Sequence, residues 1–547
     1  MVSRLKLGHL IMIFAMVALP FAATFALYYP DERHYTDGAM HMLQQGGWLA
    51  PHTGTGALRF EKPILAYWVV AISWRGLGVN TLAARLPFLL VSCGTVWLTY
   101  RMARRFTGNV QTALLAVIIL VSQPLFFLSA IRNMPDALLA FFVALSAYGF
   151  LRLLALNERT AAAYWMAYGG AAGATLSKGL LGVGIVLFAW AFVYLPKRDW
   201  PALKKLWHWP SLVTAIALGA SWFVYIFAAY GKAAWRPFFF DQVTSNLDGH
   251  FWTPLLRIFP FALLVLAGFL PWSLTIGEGI IRQKQIRGGD LPAIIRKFIL
   301  AWTGILILGF SLGSNVSARY TLPATPLLAI LFADWFSTLK EEALIFSLRR
   351  LIIATVILLG IASSTIVLVA YEWHAPLLIS SVAAVFVIAL LIGLGVGSVR
   401  FNYFPQPEAL GLSLLAGWLI LILAAIPVLP SDSAMQTAEV LQKIHGPPQP
   451  VLVVDNQQLA NRLRIQLGPK WSVTQSRKLN PATVNNYKYF VLSQTNAQAF
   501  ANHGWQVRVT AVEPRPGTVP EIWSALKARA VPEYLDGHGK KVYLATP

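Results

Sequence analysis

Residues 110–129 read VQTALLAVIILVSQPLFFLS, an uncharged and apolar run. A helix of about 20 residues crosses the ~30 Å hydrocarbon core of a bilayer. Similar runs occur at 351–370 and 376–396, and they recur from the first segment to about residue 430. A soluble core does not need so many full-length spans in succession. The sequence therefore predicts a polytopic α-helical membrane protein.

The composition supports this prediction and excludes other classes. Of the 547 residues, 57% are hydrophobic and only 12% are charged, against about 25% charged in soluble proteins. The formal net charge is +21, but the basic residues form short clusters between apolar runs. That pattern is typical of cytoplasmic loops beside anionic lipid and argues against a nucleic-acid partner. Cys93 is the single cysteine, so intrachain disulfides and cysteine-rich metal sites are excluded.

The basic clusters also predict the topology. We expect Arg4 and Lys6 in the cytoplasm before a retained first span, and segment 64–79 as a juxtamembrane helix in the interface. Every dense basic cluster between spans then faces the cytoplasm. A membrane span at 64–79 would instead place all the later basic clusters on the outer side. About thirteen spans are expected, near residues 10–28, 83–100, 110–129, 137–151, 162–177, 179–195, 210–229, 256–277, 298–313, 321–338, 351–370, 376–396 and 409–429.

The composition changes after about residue 430, which predicts a transmembrane domain over 1–430 and a soluble periplasmic α/β domain over 431–547. Strand-like runs are expected at 451–455, 487–493, 505–512 and 540–545, and helix-like runs at 457–466, 496–502 and 520–529. This tail has neither a glycine-rich phosphate loop nor a cluster of His, Asp and Glu.

Five polar motifs fall on the outer side of this topology. They are PDERHY (30–35), RFEKP (59–63), IRNMPD (131–136), SKG (177–179) and SARYTLPATP (317–326). Ionisable groups at membrane edges are costly to desolvate, so they often mark functional sites. Carboxylates beside Lys and Arg suit transfer from a phosphate-linked donor, because cations stabilise the departing phosphate while a carboxylate activates or orients the acceptor.

Each motif also has a structural interpretation. Asp31 and Asp136 are suitable helix N-caps, Lys178 can extend to the headgroups, and Arg319 with Tyr320 resembles an interfacial anchor. A lipid or solute transporter is the alternative class of function. Transporters place charges near the bilayer midplane, whereas these spans are nearly free of charge at their centres, so transport is the weaker interpretation.

At PDERHY, FEKP and Pro135-Asp136 the chain resembles the GT-C membrane glycosyltransferases, and in particular the bacterial lipid A 4-amino-4-deoxy-L-arabinose transferases and their protein O-mannosyltransferase relatives. The resemblance spans residues 1 to about 430. It implies a GT-C fold and an inverting transfer from an undecaprenyl-phosphate sugar at the periplasmic face of the bacterial inner membrane. The implied acceptor is lipid A first, with a protein or polysaccharide as the alternative.

The resemblance also implies residue roles. Asp31 and Asp136 match the catalytic acidic positions. The donor and its phosphate are expected to contact Arg59, Lys62, Lys178, Arg319 and Tyr320. The substrate or a metal is expected near Glu32, Tyr35, Glu61 and Tyr67. No cofactor is required, although a divalent metal on Glu61 and His250 stays open. The stretches 238–251 and 316–320 depart from the aminoarabinose transferases, which leaves the sugar and the acceptor open.

Overall fold

The computed structural model describes most of the chain. The described residues are 6–24, 31–196, 198–236, 253–275, 289–311, 317–339, 347–357, short pieces between 359 and 420, 433–444, 447–476, 486–502, 504–513 and 540–546. His250 and most of the predicted spans at 351–370, 376–396 and 409–429 lie outside these residues.

The described residues up to 339 are mostly helical. The helices are α1 (Leu7–Thr24), α2 (Glu32–Gln45), α3 (Leu65–Leu77), α4 (Thr81–Thr107), α5 (Val110–Val121), α6 (Pro124–Ala130), α7 (Pro135–Ala155), α8 (Ala161–Lys178), α9 (Leu180–Tyr194), α10 (Trp200–Lys204), α11 (Trp209–Tyr230), α12 (Lys232–Trp235), α13 (Thr253–Gly268), α14 (Ala293–Ser311) and α15 (Thr325–Thr338). Two 3-10 helices cover Trp272–Thr275 and Ala318–Ala324. Segment 64–79 forms the 13-residue helix α3, about 20 Å long, which is too short to cross a bilayer unaided.

Within the described residues, four helices are long and apolar enough to cross a membrane, and these are α4, α7, α11 and α14. The pair α5 and α6 would make a fifth, although the two helices are bent by 71°. The run 110–129 is therefore not the single straight span that its hydropathy predicts. Pro124 opens α6 and has no amide hydrogen to extend the hydrogen bonding of α5, which explains the break at this position.

Helices α7 and α8 are antiparallel neighbours that pack closely through small residues. A Cβ atom at Gly149 would lie 2.2 Å from the backbone nitrogen of Ala167, and one at Gly170 would lie 2.6 Å from that of Ser146. The Ser146 hydroxyl donates to the Ala167 carbonyl at 2.7 Å. Small residues allow such close approach between helices in a bilayer. This packing brings the start of α7 beside the end of α8.

The two ends of α7 carry different chemistry. Asp136 lies in its first turn and Arg152 in its last turn, about 24 Å apart along the helix axis. Arg152 donates to Glu158 at 2.8 Å, and Arg105 at the end of α4 pairs with the same carboxylate. One end of the bundle therefore carries an arginine cluster, and the opposite end carries Asp136.

The described part of the tail forms helix α16 (Ser433–Gln442), strand β1 (Val451–Val454), α17 (Gln457–Leu467), β2 (Val473–Ser476), β3 (Tyr489–Leu492), α18 (Gln494–Asn502), β4 (Gln506–Glu513) and β5 (Lys540–Thr546). The strand order is β2-β1-β3-β5-β4, with β2, β1 and β3 parallel and β5 antiparallel to both neighbours. Strand β2 has no counterpart among the predicted runs, and segment 520–529 lies outside the described residues.

Candidate active site

Asp31 lies immediately before α2 and forms an ion pair with Arg319 from the 3-10 helix Ala318–Ala324. The Asp31 and Arg319 side chains are 38% and 27% exposed, so the pair is accessible to a substrate. Burial alone would raise the pKa of Asp31, but the hydrogen bond and charge of Arg319 outweigh that effect and lower the pKa. The carboxylate is therefore ionised at neutral pH.

A second ion pair joins Asp136 at the start of α7 to Lys178 at the end of α8. It is more enclosed, with side-chain exposures of 4% for Asp136 and 12% for Lys178. The ring of Tyr320 connects the two pairs, because the Lys178 ammonium lies 4.7 Å from its centroid and the Arg319 guanidinium carbon lies 5.6 Å away. Phe310 also packs on Tyr320, because the two rings are stacked with their centroids 4.7 Å apart.

The segment before α3 contributes Arg59, Glu61 and Lys62. Arg59 pairs with Glu61 at 2.7 Å and donates from Nε to the Tyr67 hydroxyl at 3.2 Å. Tyr67 in turn packs against Tyr35 of α2, with ring centroids 5.1 Å apart. Both tyrosine side chains are buried, and burial raises the pKa of Tyr67 to about 12. The two tyrosines therefore act as neutral packing and hydrogen-bonding groups behind Arg59.

Lys62 completes the group of charges. Burial, together with repulsion from Lys178 and Arg59, lowers its pKa to about 8, although Asp136 and Glu61 oppose the shift. We call the seven side chains Asp31, Arg59, Glu61, Lys62, Asp136, Lys178 and Arg319 the acid–cation cluster. All seven interact within one region, and four cations face three carboxylates.

His34 lies next to this cluster and was not among the candidate residues. Burial lowers its pKa to about 3, and the charges of Arg59 and Arg33 act in the same direction. The imidazole is therefore neutral at physiological pH. Among the described residues its buried Nδ1 has no hydrogen-bond partner.

Glu32 lies outside the cluster, and its expected place near the substrate or a metal stays a prediction. Its side chain is 1% exposed, and Arg85 of α4 binds both carboxylate oxygens at 2.9 and 2.8 Å. The Asn133 amide donates to Glu32 Oε1 at 3.0 Å. Glu32 therefore fixes the first turn of α2 to α4 and to the segment before α7. An arginine within an apolar helix is the sequence signal that would have identified Arg85 as a partner.

Replacing Arg85 by Met is expected to lower the free energy of unfolding by about 3–5 kcal/mol, because it leaves the buried Glu32 carboxylate without its cation. Thermal unfolding of the detergent-solubilised protein measures the effect. Arg75→Met at an exposed position of α3 is the matched control and should behave as wild type. Equal melting temperatures for the two variants would contradict a supporting role for the pair.

The metal prediction is not tested by this arrangement. His250 lies outside the described residues, and Glu61 is engaged by Arg59 at 2.7 Å. Across the residues that the structure describes, no group of three or more His, Cys, Asp or Glu side chains is placed to hold a metal ion. No step proposed below depends on a metal.

Known proteins resemble this chain over the helical segments that carry most of the acid–cation cluster. Residues 4–233 match the family model described as dolichyl-phosphate-mannose-protein mannosyltransferase. An undecaprenyl phosphate-alpha-4-amino-4-deoxy-L-arabinose arabinosyl transferase of Proteus mirabilis is 26% identical over 363 residues, which cover 63% of this chain and 64% of that protein. An uncharacterized protein of Aquifex aeolicus is 28% identical over 342 residues, covering 61% and 65%. The match thus spans slightly less than two thirds of these relatives.

Solved structures extend the likeness to nearly the whole chain. ArnT from Cupriavidus metallidurans bound to undecaprenyl phosphate is 20% identical, with a TM-score of 0.73 and coverage of 98% of this chain and 97% of that one. The apo form of the same protein gives a TM-score of 0.71. This fold is the GT-C fold of membrane glycosyltransferases. Within that class, the chain resembles the aminoarabinose transferases.

Proposed function

We propose that the chain transfers a sugar from an undecaprenyl-phosphate donor to an acceptor at the periplasmic face of the bacterial inner membrane, with lipid A as the first candidate acceptor. The observation that carries the proposal is the acid–cation cluster, in which ion pairs bring together side chains from segments up to 288 residues apart. The relatives named for undecaprenyl-phosphate aminoarabinose transfer support the donor class.

The charges of the cluster suit a sugar phosphodiester. Four cations and three carboxylates leave one excess positive charge, which matches the single negative charge of a phosphodiester. The leaving polyprenyl phosphate gains charge as the sugar–oxygen bond breaks. Lys62, Lys178 and Arg319 are positioned to stabilise that charge, and such preorganised stabilisation is often the largest contribution to catalysis.

Asp31 has a role that depends on the acceptor. A lipid A phosphate is already anionic, so Asp31 would orient the acceptor or stabilise positive charge on the sugar ring. A hydroxyl acceptor on a protein or polysaccharide would need Asp31 as general base, and the lowered pKa makes it a weak one. In either case the anomeric carbon exchanges its bond to the donor phosphate for one to the acceptor oxygen, with inversion in a single displacement. The lowered pKa of Asp31 therefore favours an acceptor that needs no general base, such as a phosphate that is already anionic.

The periplasmic orientation rests on the charge pattern. The arginine cluster formed by Arg105 and Arg152 lies at one end of α7, and Asp136 lies at the other. The positive-inside rule assigns the arginine end to the cytoplasm. The acid–cation cluster then faces the periplasm, where undecaprenyl-linked sugars are consumed.

Mass spectrometry of lipid A from cells with and without the gene tests the acceptor. We expect one glycosyl substituent on a lipid A phosphate that is lost with the gene and restored by the wild-type copy. An unchanged lipid A profile would reject lipid A, and a loss of sugar from a protein or polysaccharide would identify the alternative acceptor. A liposome assay with the purified protein tests the transporter alternative. Uptake or flipping of the donor without sugar transfer, and unchanged in Asp31→Asn, would favour a transporter over an enzyme.

Donor binding is expected to weaken as the pH rises through about 8. Lys62 has a pKa of about 8, so its positive charge is present below that pH and is lost above it. The donor phosphodiester keeps its charge throughout this range. The KM for the donor should rise by up to about tenfold per pH unit above the pKa of Lys62. In Lys62→Arg the rise should disappear, because arginine remains charged. A pH-independent KM in the wild type up to pH ~9.5 would contradict a phosphate role for Lys62.

A further inference from the structure

We infer that the C-terminal sheet unit positions the proposed catalytic residue Asp31 through a buried clamp on α2. The clamp consists of Thr36 and Asp37 on α2 and Asn461 and Arg464 on α17. Asp37 and Arg464 are therefore positioning residues that act through α2. The inference rests on the proposed function, since it assigns a role in the same reaction.

Arg464 is almost completely engaged by this contact. It forms an ion pair with Asp37, and the two side chains are 9% and 1% exposed. Its Nη2 donates to the Gly54 carbonyl at 2.8 Å, and its Nε donates to the Val473 carbonyl at 2.7 Å. One guanidinium thus joins α2, the loop at Gly54 and strand β2. Several hydrogen bonds fix its orientation, as expected for a buried charge that must be paired to be tolerated.

Asn461 adds a second contact one helical turn away from Arg464. Its amide nitrogen donates to Asp37 Oδ1 at 2.8 Å and lies 2.8 Å from the Thr36 hydroxyl. Ile465 belongs to the same buried cluster as Tyr35 and Tyr67. The tail therefore meets the helical bundle through a mixed polar and apolar contact, and this contact is continuous with the packing behind Arg59.

The fit around Gly54 is tight. A Cβ atom there would lie 2.4 Å from Arg464 Nη1 and 2.7 Å from Asp37 Oδ2. Gly54 lies in a hairpin loop, in which the Arg59 amide donates to the Pro51 carbonyl at 2.8 Å and the Thr53 amide donates to Ala57 at 2.7 Å. The clamp therefore needs a residue without a side chain at this position.

The position of the clamp along α2 explains how it acts on Asp31. Asp37 is six residues after Asp31, about 9 Å along the helix axis. Glu32 fixes the other end of this segment to Arg85 and Asn133. These two anchors hold α2 on either side of its first two turns. Without the tail anchor α2 would be held mainly through Glu32, so the helix could pivot about that residue and displace the neighbouring Asp31 carboxylate. Lys62, Lys178 and Arg319 come from other segments and would stay in place.

Arg464→Met is expected to lower kcat per binding-competent site by about 10–100-fold, because a displacement near 1 Å has that cost at a reacting centre. The KM for the donor should stay within about threefold, since the phosphate-binding cations are not moved. Arg464→Lys should recover part of the activity. Arg508→Met, on the exposed side of β4, is the matched control and should match wild type. The stoichiometry of undecaprenyl phosphate binding should be one site per chain in all variants. That result would show that the protein is folded, so a lower kcat would reflect displacement of Asp31 and not partial unfolding.

Hydrogen exchange over residues 32–45 gives a readout that does not depend on activity. Arg464→Met should raise exchange in this segment relative to Arg508→Met. If Arg464→Met keeps wild-type kcat and exchange, or if its kcat falls only in proportion to lost undecaprenyl phosphate sites, the positioning role is overturned. If the wild type itself transfers no sugar, the proposed function fails instead, and unchanged exchange would then reject the clamp separately.

Discussion

Asp31→Asn is expected to lower kcat for sugar transfer by about 10²–10⁴-fold while leaving the donor KM nearly unchanged. Asparagine keeps the size of the side chain and can still accept the hydrogen bond from Arg319, so the cluster should keep its geometry. What is lost is the negative charge that orients the acceptor or stabilises the developing positive charge on the sugar. Steady-state kinetics with a purified undecaprenyl-phosphate sugar measures the loss.

The matched control for this prediction is Glu439→Gln, which removes a carboxylate at an exposed position of α16. It should have wild-type kinetics. Both variants should bind undecaprenyl phosphate at one site per chain, which confirms that the protein is folded. Substantial transfer by Asp31→Asn under these conditions would remove Asp31 from the reaction.

Lys178→Met is expected to lower kcat/KM by about 10²–10³-fold, since it removes one phosphate-facing cation and leaves Asp136 as an uncompensated buried carboxylate. The second effect also lowers stability. The double variant Lys178→Met with Asp136→Asn removes both charges, so it should recover much of the stability lost in the single variant. Thermal unfolding and steady-state kinetics measure the two effects.

The double variant separates structure from chemistry. If Lys178 acts on the donor phosphate, the double variant should be less active than Asp136→Asn alone, even when stability is recovered. Lys443→Met, at an exposed position of the tail, should have no effect. Recovery of activity together with stability would mean that Lys178 only balances the charge of Asp136.

The positions of the cluster residues follow from helix ends. Asp136 opens α7 and Lys178 closes α8, and an antiparallel pair joined by a short loop must bring those two ends together. Asp31 and Lys62 also flank helices, at α2 and α3. Topology and charge pattern were therefore sufficient to predict that these motifs share one face.

Other features depend on contacts that no local pattern contains. The partner of Glu32 is Arg85, which is 53 residues away in sequence. The position of Glu32 next to Asp31 does not indicate that its side chain pairs with α4 and not with the cluster. The clamp joins residues 427 positions apart, so the tail could be predicted as a separate unit but its docking surface could not. The bend between α5 and α6, by contrast, has a local cause in Pro124, although the length of the apolar run does not reveal it.

A structure with an undecaprenyl-phosphate sugar bound tests the central claim most directly. We expect a donor phosphate within hydrogen-bond distance of at least two of Lys62, Lys178 and Arg319, with the anomeric carbon facing Asp31. A phosphate held at the arginine end of α7, or more than about 10 Å from all three cations, would contradict it, since charges at that separation are largely screened in salt solution.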